Sequence, residues 1–289
     1  METATSSPVT HHSSLVDETL ADSPLYWREH DGVKVLVCKP LEDAGFANGF
    51  STRVGGVSPF PQNDLNLAGF NEDEAKNIHE NRRRFLNAFD GDFRLATVWQ
   101  IHGNTVKVIR SYDDIGESDD HADAVLSDLT GILAGAKTAD CVPVLIGDPV
   151  TGVFAAIHAG WRGTVASIVQ RTVSKMTELY GSAPANLIAA IGPAASVCHY
   201  EIGEDVMDAF AENVAGSEKY FAPTRTGHAR VDLHLANRDQ LIASGVADAN
   251  IHTAPYCTME RPDLFFSYRL EKQKFGKTGR LLSVIGRRG

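Results

Sequence analysis

Cysteine is scarce in this chain. Four occur among 289 residues, Cys38, Cys141, Cys198 and Cys257, widely separated and never in a C-x-x-C pair. That usage indicates neither a disulfide framework nor a structural zinc knuckle, and it points to a reducing compartment and a cytoplasmic protein. Long apolar runs are missing too: the longest, such as VPVLIG and GVFAAI, have the length of a strand, so no segment is expected to cross a bilayer. Positive charge is in deficit, with 27 Lys and Arg against 37 Asp and Glu and a formal net charge of -10. A nucleic-acid groove or an anionic membrane surface would work against that field, so small-molecule substrates are favoured over either partner. The absence of a Walker A loop and of a dinucleotide fingerprint argues against nucleoside triphosphates and NAD as cofactors.

Hydrophobic residues make up 43% of the chain and charged residues 22%, which suits a globular protein with a sizeable core. The opening stretch, METATSSPVTHHSSLVDETLADSP, is rich in Ser and Thr and lacks the basic start and apolar run of a secretory signal. Residues 1–24 read as a disordered or loosely attached tail, its His11 and His12 as an accident of composition. Residues 25–289 read as one domain, because element follows element at ordinary loop lengths with no linker or internal repeat.

Apolar runs or alternation closed by Gly, Pro or Asp mark eleven strand candidates: VKVLVCKP, GFANGFST, RLATVWQIHG, NTVKVIR, ADAVLSD, GILAGAKT, CVPVLIGD, GVFAAIHAG, NLIAAIGP, NIHTAPYC and LLSVIG. Helical spacing marks DEAKNIHENRRRFLNAF, TVASIVQRTVSKMTELYG, GEDVMDAFAENV and LHLANRDQLIASG. Several strands follow one another directly. The expected fold class is therefore α+β, a single compact domain of mixed sheets flanked by helices.

Three segments put a soft-metal ligand at a strand end or a Gly-marked turn: His102 in WQIHGN, Cys141 in TADCVP and His158 in IHAGWRG. Two imidazoles and one thiolate would suit catalytic zinc, with the fourth tetrahedral position left for water. Copper accepts the same ligands. The same residues also allow Cys141 to act as a nucleophile with His102 or His158 as its base, and each is equally at home as an ordinary buried or hydrogen-bonded side chain. Arg53 precedes a Gly-Gly turn in STRVGGVS, and Arg162 stands before a helix that Thr164 would cap; together they would make an anion site for phosphate or a carboxylate.

Taken in order, STRVGGVS, VWQIHGNTV, KTADCVPVL, AAIHAGWRGT, AAIGPAASVCHYEIG, CTMERPDLFFSYR and TGR resemble the motifs of the laccase-domain family. That family was long labelled polyphenol oxidase or multicopper-oxidase-like and is associated with purine nucleoside phosphorolysis. The likeness runs from about Phe46 to the C-terminus. It implies a zinc ion held by His102, Cys141 and His158, and phosphorolysis of adenosine, inosine, guanosine and S-methyl-5'-thioadenosine together with deamination of adenosine. Inorganic phosphate and purine nucleosides are then the partners, and the oligomeric state stays open. Arg53 and Arg162 would hold phosphate, Asp140 would shuttle a proton, and Asn66 in DLNLAGF is a looser candidate for substrate contact. A copper-dependent polyphenol oxidase and a Cys-His hydrolase are the alternatives. The chain departs from the family where many members carry further cysteines: it has Ala194, Ala195 and His199 instead. That substitution counts against oxidase chemistry built on additional copper.

Overall fold

The computed structural model describes residues 18–21, 23–59, 64–69, 73–115 and 120–289. Most of the expected tail, and its His11 and His12, lie outside the described residues. Near its end Leu20 packs on the core and the Lys39 N–H donates to the Pro24 carbonyl.

Two six-stranded mixed sheets form the centre. The first runs in the order β1 (Leu25–His30), β2 (Val33–Cys38), β3 (Phe46–Ser51), β15 (Leu281–Arg287), β7 (Ile132–Thr138), β4 (Arg94–Ala96). The second runs β14 (Ile251–Thr253), β10 (Ile188–Ile191), β8 (Val142–Gly147), β9 (Phe154–Ala159), β6 (Ala124–Ser127), β5 (Val106–Ile109). A small antiparallel sheet of β11 (Glu201–Gly203), β13 (His228–Val231) and β12 (Phe221–Pro223) lies beside them. Strands from both halves of the sequence interleave in each large sheet, so the chain cannot be cut into two folding units. The expected α+β domain is what forms.

The two large sheets face each other across a core of Phe46, Phe50, Ala134, Ala136, Leu145, Phe154, Ala156 and Ile285. Their outer faces are covered as well. Helix α2 (Ala75–Leu86) sets Phe85 against Val35, Leu133 and Val284 on the first sheet. Helices α4 (Ile168–Tyr180), α5 (Glu204–Asn213) and α6 (Leu233–Ala243) cover the second, with Val169, Val173, Met176 and Phe210 in one cluster with Val144, Ile146 and Ile157. Burial on both faces explains why β8 and β9 read as continuous apolar runs rather than alternating ones. No helix among the described residues is long and apolar enough to cross a membrane.

Strands β1, β11, β12 and β13 fall outside the expected set, and the structure departs from the expected elements elsewhere too. RLATVWQIHG keeps only β4 as strand, and the remainder is a loop that carries His102. TVASIVQRTVSKMTELYG is split into α3 (Trp161–Val165) and α4, because Ser167 adopts a left-handed backbone with φ 58°. The N-cap of α3 is Gly160, and Thr164 lies inside the helix, its hydroxyl paired with Asn237. The short helices α1 (Lys39–Asp43) and α7 (Tyr268–Phe275) carried no periodic signal of useful length.

Candidate active site

The antiparallel pairing of β8 and β9 sets Val142 opposite Ala159 and Pro143 opposite His158. Cys141, one residue before β8, is thereby brought beside His158 and Gly160. The third residue arrives from the loop between β4 and β5, where His102 takes a left-handed φ of 59°. The ligand atoms of His102, Cys141 and His158 all lie within 4.8 Å of one another, and the two imidazoles meet edge to face with centroids 4.8 Å apart. A Cβ at Gly160 would come within 3.0 Å of Cys141 Sγ and 3.3 Å of His102 Cδ2. Glycine at this position lets Cys141 and His102 approach without displacement.

Asp123 organises this convergence. Its carboxylate accepts the backbone N–H groups of His102 at 2.9 Å and Gly103 at 2.6 Å, and its Oδ1 lies 2.9 Å from His158 Nδ1. The His158 N–H donates to the Asp123 carbonyl at 2.7 Å. One buried side chain therefore fixes the backbone of one imidazole and the ring of the other. With Nδ1 committed to Asp123, His158 directs Nε2 at the cluster. Burial works against the Asp123 charge, but the His158 ring and the loop N–H groups outweigh it and hold the carboxyl below its usual range.

Burial also works against a Cys141 thiolate, yet His158 and His102 overcome it and bring the thiol down to about 6. On His158 burial favours the neutral ring, while Cys141 and Asp123 lift it to about 9. The two imidazoles thus favour the thiolate of Cys141, which is the state of cysteine a soft metal or an electrophile meets.

Asp140 precedes Cys141 with a left-handed φ of 86°, a conformation that costs a non-glycine residue about 1–3 kcal/mol. Its carboxylate accepts Thr258 Oγ1 at 2.7 Å, Ser267 Oγ at 3.0 Å and the Arg269 N–H at 2.7 Å. Burial raises its pKa in spite of these donors. The expected proton shuttle is thus held in a buried network that fixes the backbone before Cys141.

The two expected phosphate-binding arginines separate. Arg162, at the start of α3, is exposed beside the cluster with its guanidinium over the Trp161 ring. Arg53 is buried instead. It pairs with Asp64 and Glu271, donates to the Pro262 carbonyl and lies over the Phe266 ring. These partners hold it behind the site, against the segment that carries Ser267 and Arg269. Asn66 is likewise committed to backbone, its Oδ1 accepting the N–H groups of Arg280 and Ala68.

Sequence reasoning did not single out Asp123, Tyr200 or Arg269. Tyr200 is pushed up to about 12 by burial and by the Cys141 charge, with Arg269 and Arg162 opposing. The Arg269 guanidinium lies 5.0 Å from the centre of the Tyr200 ring and is exposed. Tyr200 and Arg269 lie inside HYEIG and FFSYR, two stretches that carry the family resemblance but no local mark of the contact between them. The clefts lined by His30, Arg83 and Asn87, and by one face of α4, contain none of these residues.

An α+β domain with three thiol and imidazole groups converging beside exposed arginines defines a class: a protein with a candidate three-ligand metal centre open to solvent. A family model described as multi-copper polyphenol oxidoreductase laccase matches residues 47–288, and the chain belongs to this laccase-domain family. It is 39% identical over 240 residues to a purine nucleoside phosphorylase of Deinococcus radiodurans, covering 82% of this chain and 87% of that protein. It is 34% identical over 262 residues to the purine nucleoside phosphorylase YlmD of Geobacillus stearothermophilus, covering 88% and 94%. The crystal structure of YlmD from that organism superposes with a TM-score of 0.84 at 31% identity, covering 92% of this chain and 100% of that one. The hypothetical protein YfiH of Bacillus licheniformis superposes with a TM-score of 0.83 at 28% identity, covering 92% and 99%.

Proposed function

We propose that this protein is a zinc-dependent purine nucleoside phosphorylase that accepts adenosine, inosine, guanosine and S-methyl-5'-thioadenosine and also deaminates adenosine. The observation that carries the reading is the His102, Cys141 and His158 cluster with Asp123 behind it, in a chain whose relatives are named for phosphorolysis. The donor set fits zinc: two nitrogens and an ionised thiol lie within reach of one ion, and three protein ligands leave a fourth position open. Bound zinc would supply a Lewis acid and an acidified water, the nucleophile that deamination needs.

The chain's own groups account for phosphorolysis. Phosphate must be held in line with the anomeric carbon as the purine departs. Arg162, and Arg269 across the Tyr200 ring, present two exposed guanidinium groups to such an anion. Arg53 has no part in it, being committed to Asp64 and Glu271. Tyr200 keeps its proton at neutral pH and can donate a hydrogen bond from Oη to the departing base. Asp140 acts as a positioning residue for Cys141, and Asn66 as a positioning residue for the backbone at Arg280. A cytoplasmic location belongs to the same reading, because the Cys141 thiolate must stay reduced.

The second reading is a copper protein. Two histidines and one cysteine are also the ligands of electron-transfer copper sites, and the family model's description names copper. One experiment separates the readings: turnover of adenosine and inosine by metal-quantified protein, with and without phosphate. Free base and ribose 1-phosphate formed only with phosphate, by protein carrying zinc, is the expected result. Stoichiometric copper, phenol-dependent oxygen uptake and no nucleoside turnover would replace phosphorolysis with oxidation.

A further inference from the structure

Beyond the first cluster, the described residues hold one other convergence of thiol and imidazole groups. Cys198 and His199 lie in a turn after β10, closed by the His199 and Tyr200 N–H groups donating to the Ser196 carbonyl. The parallel pairing of β10 with β14 extends to a bridge between Ala194 and Cys257, which sets Cys257 beside that turn. The ligand atoms of Cys198, His199 and Cys257 lie within 4.8 Å of one another. His199 Nδ1 is 3.1 Å from Cys198 Sγ and 3.8 Å from Cys257 Sγ. The Ser196 N–H donates to Cys257 Sγ at 3.4 Å.

We propose that Cys198, His199 and Cys257 form a second metal site, separate from the first, that takes one zinc-type soft divalent cation. Zn–S bonds of about 2.3 Å and Zn–N bonds of about 2.0–2.1 Å place the ligand atoms of a tetrahedral ion roughly 3.5–3.8 Å apart. The separations at His199 bracket that spacing, so the ion enters with small side-chain adjustments. Two thiolates neutralise the divalent charge, and the Ser196 N–H already points at one of them. Thiolate ligands select zinc over the hard cations magnesium and calcium. Cys198 and His199 are exposed and Cys257 is buried. The ion therefore has a route from solvent, and its fourth position faces water.

The two sites share a wall. Tyr200 follows His199 and lies under Arg269, and Thr258 follows Cys257 and donates to Asp140. An ion at the second site would tie together the two turns from which these residues project. Its role is structural support of that wall, and it stands whether the first site performs phosphorolysis or oxidation.

The test uses the full chain, reduced, stripped with a chelator and dialysed against Zn2+, with bound metal measured by atomic emission. Wild-type protein is expected to retain about two equivalents, and both the Cys198→Ser/His199→Ala variant and the Cys141→Ala variant about one. With Co2+ as the probe, thiolate-to-metal charge-transfer absorption should fall further in the double variant than in Cys141→Ala, because the second site supplies two of the three Co–S bonds. Cys198 and His199 are exposed, so their replacement spares the core, and the Cys141→Ala protein reads the second site without altering it. One equivalent in wild type and no loss in the double variant would overturn the proposal. So would a Cys198 to Cys257 disulfide that persists under reductant and excludes the ion.

Discussion

Asp123 shows how much a single side chain can settle. Its carboxylate holds the loop N–H groups at His102 and Gly103 and the Nδ1 side of the His158 ring. Asp123→Asn keeps the shape but removes the charge and places an amide opposite three donors. The expected result is a loss of about 10–100-fold in metal affinity at the first site, as for other groups that orient a metal-binding histidine. Competition with a chromophoric chelator measures it. Unchanged affinity would show that the backbone alone positions the two imidazoles. The three ligands were legible in the sequence because each is a chemically unusual residue at a strand end. Asp123 was not, since one carboxylate among 37 acidic residues carries no local mark of the N–H groups that fold around it.

At the scale of elements, the β8 to β9 hairpin does most to build the site, since its open end brings Cys141, just before β8, beside His158 in β9. Its turn is closed by Asp148, fully buried, which accepts the Val150 N–H at 2.9 Å and the Thr151 hydroxyl at 2.8 Å. Burial opposes the charge on Asp148, but the hydroxyls of Ser182 and Thr151 and the turn N–H groups outweigh it and lower its pKa. A carboxyl whose folded pKa is depressed stabilises the fold above its unfolded value, about 3.9, and loses that contribution as pH falls through the folded value. Asp148→Ala is expected to cost about 2 kcal/mol at neutral pH. The gap from wild type should narrow as pH falls below about 4. Denaturant midpoints across that range give the answer, and a gap independent of pH would assign the loss to packing rather than charge. Both strands were legible from their apolar runs. The left-handed break at Ser167 that separates α3 from α4 was not, because Ser carries no strong helix-stop signal and Val165, Ile168 and Val169 keep helical spacing across it.

Across the whole molecule, the α+β class and most of the strands were legible, whereas their order in the two sheets was not. Hydrogen bonding between β15 and β3 joins residues more than two hundred positions apart, and no local pattern encodes that partnership. Arg53 shows the same limit. Beside a Gly-Gly turn it looked free for phosphate, yet the fold brings Glu271 and the Pro262 carbonyl to it from the far end of the chain. Asp64, Arg53 and Glu271 form a buried line that joins Arg53 and Asp64 to α7, and with α7 to the residues that hold Asp140. Removing the arginine leaves two buried carboxylates without their counter-charge, a defect that costs about 3–5 kcal/mol where one partner of a buried pair is deleted. Arg53→Ala is therefore expected to lower the unfolding free energy by about that amount, read from chemical denaturation. Arg162→Ala provides the contrast: its side chain is exposed, so stability should hold while the KM for phosphate rises. If Arg53→Ala instead folded with wild-type stability and lost only phosphate affinity, the guanidinium would be a ligand-binding group after all, and the carboxylates around it would be its positioning residues.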